Sequence, residues 1–163
     1  MLSALNPFLP APQDFHRPLS WVGKDLRGQE KEELENLILR VKCFLRMPTL
    51  ITSYDSLITI MDHVFHWITM GPPYSDKVLG ELIRFLRVSL MSLSRRNIMN
   101  TVVICDVLVK NCGISIHNLI GKRFFMKTIT LVARRQFHKL SIKSRDLGVF
   151  ILDIIQVRRY TPH

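Results

Sequence analysis

Apolar residues recur along this chain at the three-to-four residue spacing of helices, and no segment alternates with period two for long enough to demand a sheet. From Glu30 to Met47, Leu34, Leu37, Ile38, Val41 and Leu45 fall on one helix face. Glu30, Glu32 and Glu33 stand in the first turn and Arg40, Lys42 and Arg46 towards the end, which suits the helix dipole, and Pro48 stops the run. A second helix is expected over Thr52 to Thr69, with Ser53 as N-cap and Leu57, Met61, Val64, Phe65 and Ile68 as its buried stripe. Gly71-Pro72-Pro73 ends it. Ser75 or Asp76 then caps a third helix reaching Met91, with Leu79, Leu82, Ile83, Leu86 and Leu90 inward. Ser94 opens a fourth, lined by Ile98, Val102, Cys105, Leu108, Val109 and Cys112, whose nearly all-apolar circumference predicts a central position. Gly113 supplies a left-handed stop, followed by a short helical turn over Ser115 to Leu119. A further helix is expected over Gly121 to Arg135, burying Phe125, Ile129 and Val132. The last, Ile142 to Val157, buries Leu147, Phe150, Ile151, Ile154 and Ile155. The expected architecture is all-α: six or seven helices stacked as antiparallel hairpins over residues 30–160, after a proline-punctuated, loosely draped tail over residues 1–29.

Composition adds a partner class. The chain has 163 residues, room for one domain with a real core, and 47% of them are hydrophobic, which argues against wholesale disorder. Lys and Arg outnumber Asp and Glu by 23 to 13, a net charge of +10 that predicts attraction to nucleic acid, an acidic lipid surface or an acidic peptide. A solubilising charge with no specific partner is the competing reading. Cys43, Cys105 and Cys112 have no CxxC or Cys/His ligand spacing, and an odd count without a framework suits a reducing compartment. No secretory signal is evident and no uncharged apolar run reaches the ~18 residues that span a bilayer, so an intracellular protein, soluble or peripheral on a membrane, is expected.

Candidate chemistry is sparse. The chain has no nucleophile elbow, P-loop, HExxH, EF-hand loop or dinucleotide glycine fingerprint. His63 and His66 with Asp62 fall short of a metal set, so neither enzyme activity nor a cofactor is expected. What remains is surface. Lys122, Arg123 and Lys127 open a helix, and Arg134, Arg135 and Lys139, then Lys143 and Arg145, continue the basic run; a helix N-terminus with such cations is suited to anions, against the plain alternative of a solvated basic face. In the tail, Asn6-Pro7-Phe8 is the tripeptide bound by EH-domain proteins of endocytosis, although three residues recur often by chance and turn chemistry alone is the favoured reading.

Several stretches resemble one family. Asp106-Val-Leu-Val-Lys-Asn-Cys-Gly113 resembles the signature that ends the fourth helix of VHS domains, members of the ENTH/VHS superfamily found in endosomal and Golgi sorting adaptors. Gly121-Lys-Arg-Phe-Phe-Met126 resembles the start of the sixth VHS helix, Gly71-Pro72-Pro73 the entry to the third, Tyr54 to Val64 the second, and Ile142 to Ile155 the seventh. The resemblance implies a right-handed superhelix of about seven helices and a non-catalytic cargo-recognition module on endosome or Golgi membranes. It implies a ubiquitin-binding edge at Tyr54 and Ile58, beside Asp55 and Asp62, and ubiquitinated cargo and coat or endocytic proteins as partners. It also places Lys122, Arg123, Phe124 and Lys127 where Golgi adaptors take acidic dileucine peptides, although Arg123-Phe124 reverses that subgroup's order. The same cluster could rest on acidic phospholipid head groups, as in ENTH and ANTH modules. A nuclear relative of this superhelix that reads phosphorylated polymerase tails or RNA fits the charge less specifically, so nucleic acid is the less favoured partner.

Overall fold

A computed structural model describes residues 26, 28–47, 54–72, 74–139 and 142–159. Among these, seven helices and no strand are present: α1 Gln29–Arg46, α2 Tyr54–Met70, α3 Tyr74–Leu90, α4 Arg95–Asn111, α5 Gly113–Ile120, α6 Arg123–Phe137 and α7 Ile142–Arg159. Most of the tail, including Trp21 and Asn6-Pro7-Phe8, lies outside the described residues, as do Ser53 and the side chain of Ile154.

Successive helices pack as hairpins, α1 on α2, α2 on α3, α3 on α4 and α6 on α7, and two helices tie the set together. The first is α3, which meets α1, α5 and α6 as well as its sequence neighbours. The other is α4, which meets α1, α2, α3, α5 and α7, as its apolar circumference predicts. The expected core positions of α1, α3 and α4 are all buried. Phe44 joins the α1 face, and Val78 and Phe85 widen that of α3, as its many neighbours require. At the far end α7 approaches α6 closely at Gly148, where a β-carbon would stand 3.0 Å from the Phe137 ring.

Three expectations are corrected. In α2 the buried stripe is Leu57, Ile60, Val64 and Trp67. Met61 and Ile68 are only half-buried and Phe65 is exposed. The apolar half of the helix is wide enough for two adjacent rows, and the Leu57–Trp67 row, which carries the largest side chain, is the one turned inward. Ser75 and Asp76 sit inside the first turn of α3, which begins at Tyr74, and do not precede it. The turn after Gly113 is a full helix to Ile120, and the next helix begins only at Arg123. Gly121 closes α5 by donating to the His117 carbonyl at 2.9 Å, and Lys122 is extended, with ψ 144°.

Polar groups fix the helix ends. The Ser94 hydroxyl caps α4, accepting from the Asn97 amide at 3.4 Å. Asn100, in the middle of α4 and buried, donates from Nδ2 to the carbonyls of Phe44, Leu45 and Met47 at 3.1, 3.2 and 3.3 Å. Its two hydrogens thus serve three carbonyls where α1 ends, tying the first helix to the central one. Met47 there turns extended, with ψ 136°, as a residue before proline prefers. Across the first hairpin, Trp67 Nε1 donates to Glu33 Oε2 at 3.2 Å. Where α4 meets α5, His117 Nε2 lies 2.6 Å from the Val109 carbonyl.

Two glycines predict opposite responses. Gly113 has φ +68°, a left-handed conformation in which an L side chain is strained by about 1–2 kcal/mol, so Gly113→Ala should lower stability by that order. Gly80 sits within α3, and a β-carbon there would meet nothing within 4 Å, so Gly80→Ala should raise stability by about 0.5–1 kcal/mol. Urea denaturation of the two variants beside the parent chain checks both signs.

Candidate functional site

The residues singled out for binding gather on two helices, α2 and α6, with α3 packed against both. On α2, Tyr54 is 71% and Ile58 48% exposed, and Asp55 and Asp62 are exposed beside them. Neither residue is therefore part of the core. The same face continues further than the sequence suggested. Met61, half-buried, and Phe65, 40% exposed, follow Ile58 at helical spacing, so an apolar stripe Tyr54–Ile58–Met61–Phe65 runs beside the buried one. Its signal was present in the sequence as a second apolar row at i, i+4, i+7 and i+11. It was hidden because Met61 and Phe65 also fit a core pattern. Asp55 and Asp62 flank this stripe on the side away from the core.

Between α1 and α2 lies a groove of about 410 Å³, with Leu39, Arg40 and Cys43 on one wall and Asp55, Ser56 and Thr59 on the other. It is mixed in polarity, and Leu39 on its rim is exposed.

On α6, Phe125, Ile129, Val132, Ala133 and Gln136 turn inward. Arg123, Phe124, Lys127 and Arg134 occupy the opposite side and are all exposed, Phe124 at 71%. Lys122 and Lys139, just outside the two ends, are exposed and Arg135 is half-buried at the edge. The helix has no acidic residue in its first turn and no side-chain cap. The charge is far more local than the net value conveys. Of the 23 Lys and Arg, nine fall within residues 107–145, which contain none of the 13 Asp and Glu; the rest of the chain carries 14 basic against 13 acidic residues. Arg145 lies exposed on α7, and the side chain of Lys143 is outside the described residues.

The octapeptide over residues 106–113 is tied into the end of α4 by its own side chains. Lys110 pairs with Asp106 at 2.7 Å, Asn111 Nδ2 donates to the Val107 carbonyl at 2.7 Å, and Gly113 makes the left-handed turn. Cys105 and Cys112 are buried there. Burial, with Asp106 adding to it, pushes the Cys105 thiol up to about 12, and burial pushes Cys112 up to about 11. Both thiols are held neutral, so at neutral pH a thiol-alkylating reagent should modify exposed Cys43 alone, and the other two only after unfolding. Because folding raises both values above the 9.0 of a free thiol, this stabilisation is complete below pH 9 and is lost as pH rises towards 11–12. Urea melts over that range should show falling stability, and a Cys105→Ala, Cys112→Ala variant should show less of the fall.

Among the described residues no group of three or more His, Cys, Asp or Glu comes together to hold a metal ion; His63 is half-buried and His66 exposed on α2. No helix among them is long and apolar enough to cross a membrane. Compared with known proteins, the chain matches no family, no curated protein and no solved structure.

Proposed function

We propose that this chain is a non-catalytic VHS-like adaptor module, a right-handed superhelix that recognises ubiquitin or ubiquitinated cargo through α2 in endosomal or Golgi trafficking. The observation that carries this reading is the solvent exposure of Tyr54 and Ile58 on one face of α2, continued by Met61 and Phe65. Large apolar side chains aligned at helical spacing on a surface mark a docking site for another apolar surface. The acidic flank of Asp55 and Asp62 favours a partner whose apolar patch is rimmed by positive charge. The helix order and the sequence resemblances at α2, α3, α4, α6 and α7 support the VHS-like arrangement. In this reading the protein works in the cytoplasm at the membrane face, and Asn6-Pro7-Phe8 offers a contact for coat or endocytic proteins.

A single shallow stripe gives weak binding, which chains of ubiquitin strengthen through avidity. The test is capture of the full chain on immobilised mono-ubiquitin and tetra-ubiquitin. Capture should rise steeply with chain length, and Ile58→Asp, which places a carboxylate in the stripe, should lower it at least about ten-fold. Capture that ignores Ile58→Asp and Tyr54→Ala would refute this surface.

A further inference from the structure

The hairpin of α6 and α7 has an outer surface that the α2 reading leaves unused. On α6, the exposed row Arg123, Lys127 and Arg134 lies past Phe137 in the turn away from the core row of Phe125, Ile129 and Val132. On α7, exposed Leu152 and Val149 lie past Gly148, in the same sense of turn, from buried Leu147 and Ile151. Phe137 rests against Gly148 where the two helices meet. Because the helices are antiparallel, both turns open on the same side, and the exposed rows form one continuous surface. Its α6 half is basic, through Arg123, Lys127 and Arg134. Its outer α7 edge is acidic, through exposed Asp146 and Asp153. Between them stand Phe137, Leu152 and Val149, at 39%, 38% and 50% exposure, and Arg145 at the loop end is the exception to this division. Among the described residues the ion pairs join Lys31 to Glu35, Arg84 to Glu81 and Lys110 to Asp106, so neither edge is neutralised from within.

We propose that this surface joins two copies of the chain in a symmetric dimer, α6 of each lying antiparallel on α7 of the other about a two-fold axis parallel to the helices. Such an axis exchanges the two edges and keeps height along the helices. It therefore sets the basic half of each copy on the acidic edge of its partner, twice over. With Gly148 level with Phe137, the helical rise puts Asp153 about 3 Å in height from Arg134 and about 8 Å from Lys127, within reach of those long side chains. Phe137, Leu152 and Val149 close on one another at the centre. Helices of 15 and 18 residues, about 10 Å apart, offer a face of about 500 Å² on each copy. The total of about 1,000 Å² is where specific interfaces begin, which makes the dimer weak and concentration-dependent. An anionic partner fits the whole surface less well, because Asp146 and Asp153 would repel it. The surface shares no residue with the α2 stripe, and a dimer carries two such stripes.

Sedimentation equilibrium of the full chain over a concentration series tests it. The chain should pass from monomer to dimer and stop there, and associate less at high salt. Lys127→Glu with Arg134→Glu makes both halves of the contact acidic, and Asp146→Lys with Asp153→Lys makes both basic. Each double variant alone should raise the dissociation constant at least about ten-fold, since like charges would then face each other. An equimolar mixture of the two should dimerise as the parent chain does, because every acidic α6 then meets a basic α7 and every acidic α7 a basic α6. That rescue also reports that both variants fold. Val149→Asp, at the centre, should weaken the dimer by a similar factor. Both double variants should keep the NMR shifts of α2 with mono-ubiquitin in solution, which separates failure of this surface from failure of α2. A chain still monomeric at about 1 mM leaves the surface to another partner and would overturn the proposal. So would a mixture that stays monomeric, or association that runs on past the dimer.

Discussion

Trp67→Ala should destabilise the protein by about 3–5 kcal/mol, the loss usual for a large aromatic removed from a closed core. Trp67 is fully buried on the inward face of α2, and its indole N–H also satisfies Glu33 of α1. A domain of this size has about 5–15 kcal/mol in hand, so this one change takes a large share. Trp67→Phe keeps most of the packing and gives up the bond to Glu33, for about 1–2 kcal/mol. The decisive comparison is Phe65→Ala, two residues away on the same helix. Phe65 belongs to the exposed stripe and its loss should cost under about 1 kcal/mol. Urea denaturation of the three variants gives the order directly. If Phe65→Ala proves as costly as Trp67→Ala, α2 is rotated and the proposed binding stripe is core.

Asn100→Ala should cost about 2–3 kcal/mol, although it removes no apolar surface. The reason lies in what it leaves behind, the carbonyls of Phe44, Leu45 and Met47, which lose their side-chain donor at the end of α1. Asn100→Asp should be worse at neutral pH, since a carboxylate would then face three carbonyl oxygens in a buried site. That variant carries its own check. The fold would raise the new carboxyl's pKa above the ~3.9 of a free aspartic acid, because only its protonated form can donate to the carbonyls. Its stability relative to wild type should therefore recover as pH falls towards that value and be lost as pH rises through the shifted one. Equilibrium melts at mildly acidic and neutral pH decide this. An Asn100→Asp defect independent of pH would mean that the contact to α1 is not what Asn100 contributes.

These two residues also mark how far the sequence could be read. Amphipathic helices such as α1 and α3 were legible because one face is polar and the hydrophobic period has a single phase. The helix α2 was not, since Leu57, Ile60, Val64 and Trp67 compete with Tyr54, Ile58, Met61 and Phe65 for the inward direction. Only packing against α1 and α3 chooses between them. Asn100 leaves no signal in the sequence, because a lone amide in an apolar helix has no period and its acceptors lie more than fifty residues earlier in the chain. The apolar spacing runs Gly121-Lys122 into the first turn of a helix, whereas glycine and an extended lysine form the break between α5 and α6. Of the candidate residues, Tyr54 and Ile58 stand on the surface of α2, and Arg123, Lys127 and Arg134 share one face of α6. The concentration of charge in residues 107–145 was open to inspection in the sequence. Its display as a strip required α6 to bury the opposite side.

Whether the exposed stripe of α2 is a ubiquitin-binding surface is decided by an NMR titration of the isotope-labelled full chain with ubiquitin. Fast-exchange shifts confined to α2 are expected, largest around Tyr54, Ile58, Met61 and Phe65, and absent in Ile58→Asp. Shifts that are absent from α2, or that gather on α6 instead, would contradict a ubiquitin-binding role for this face.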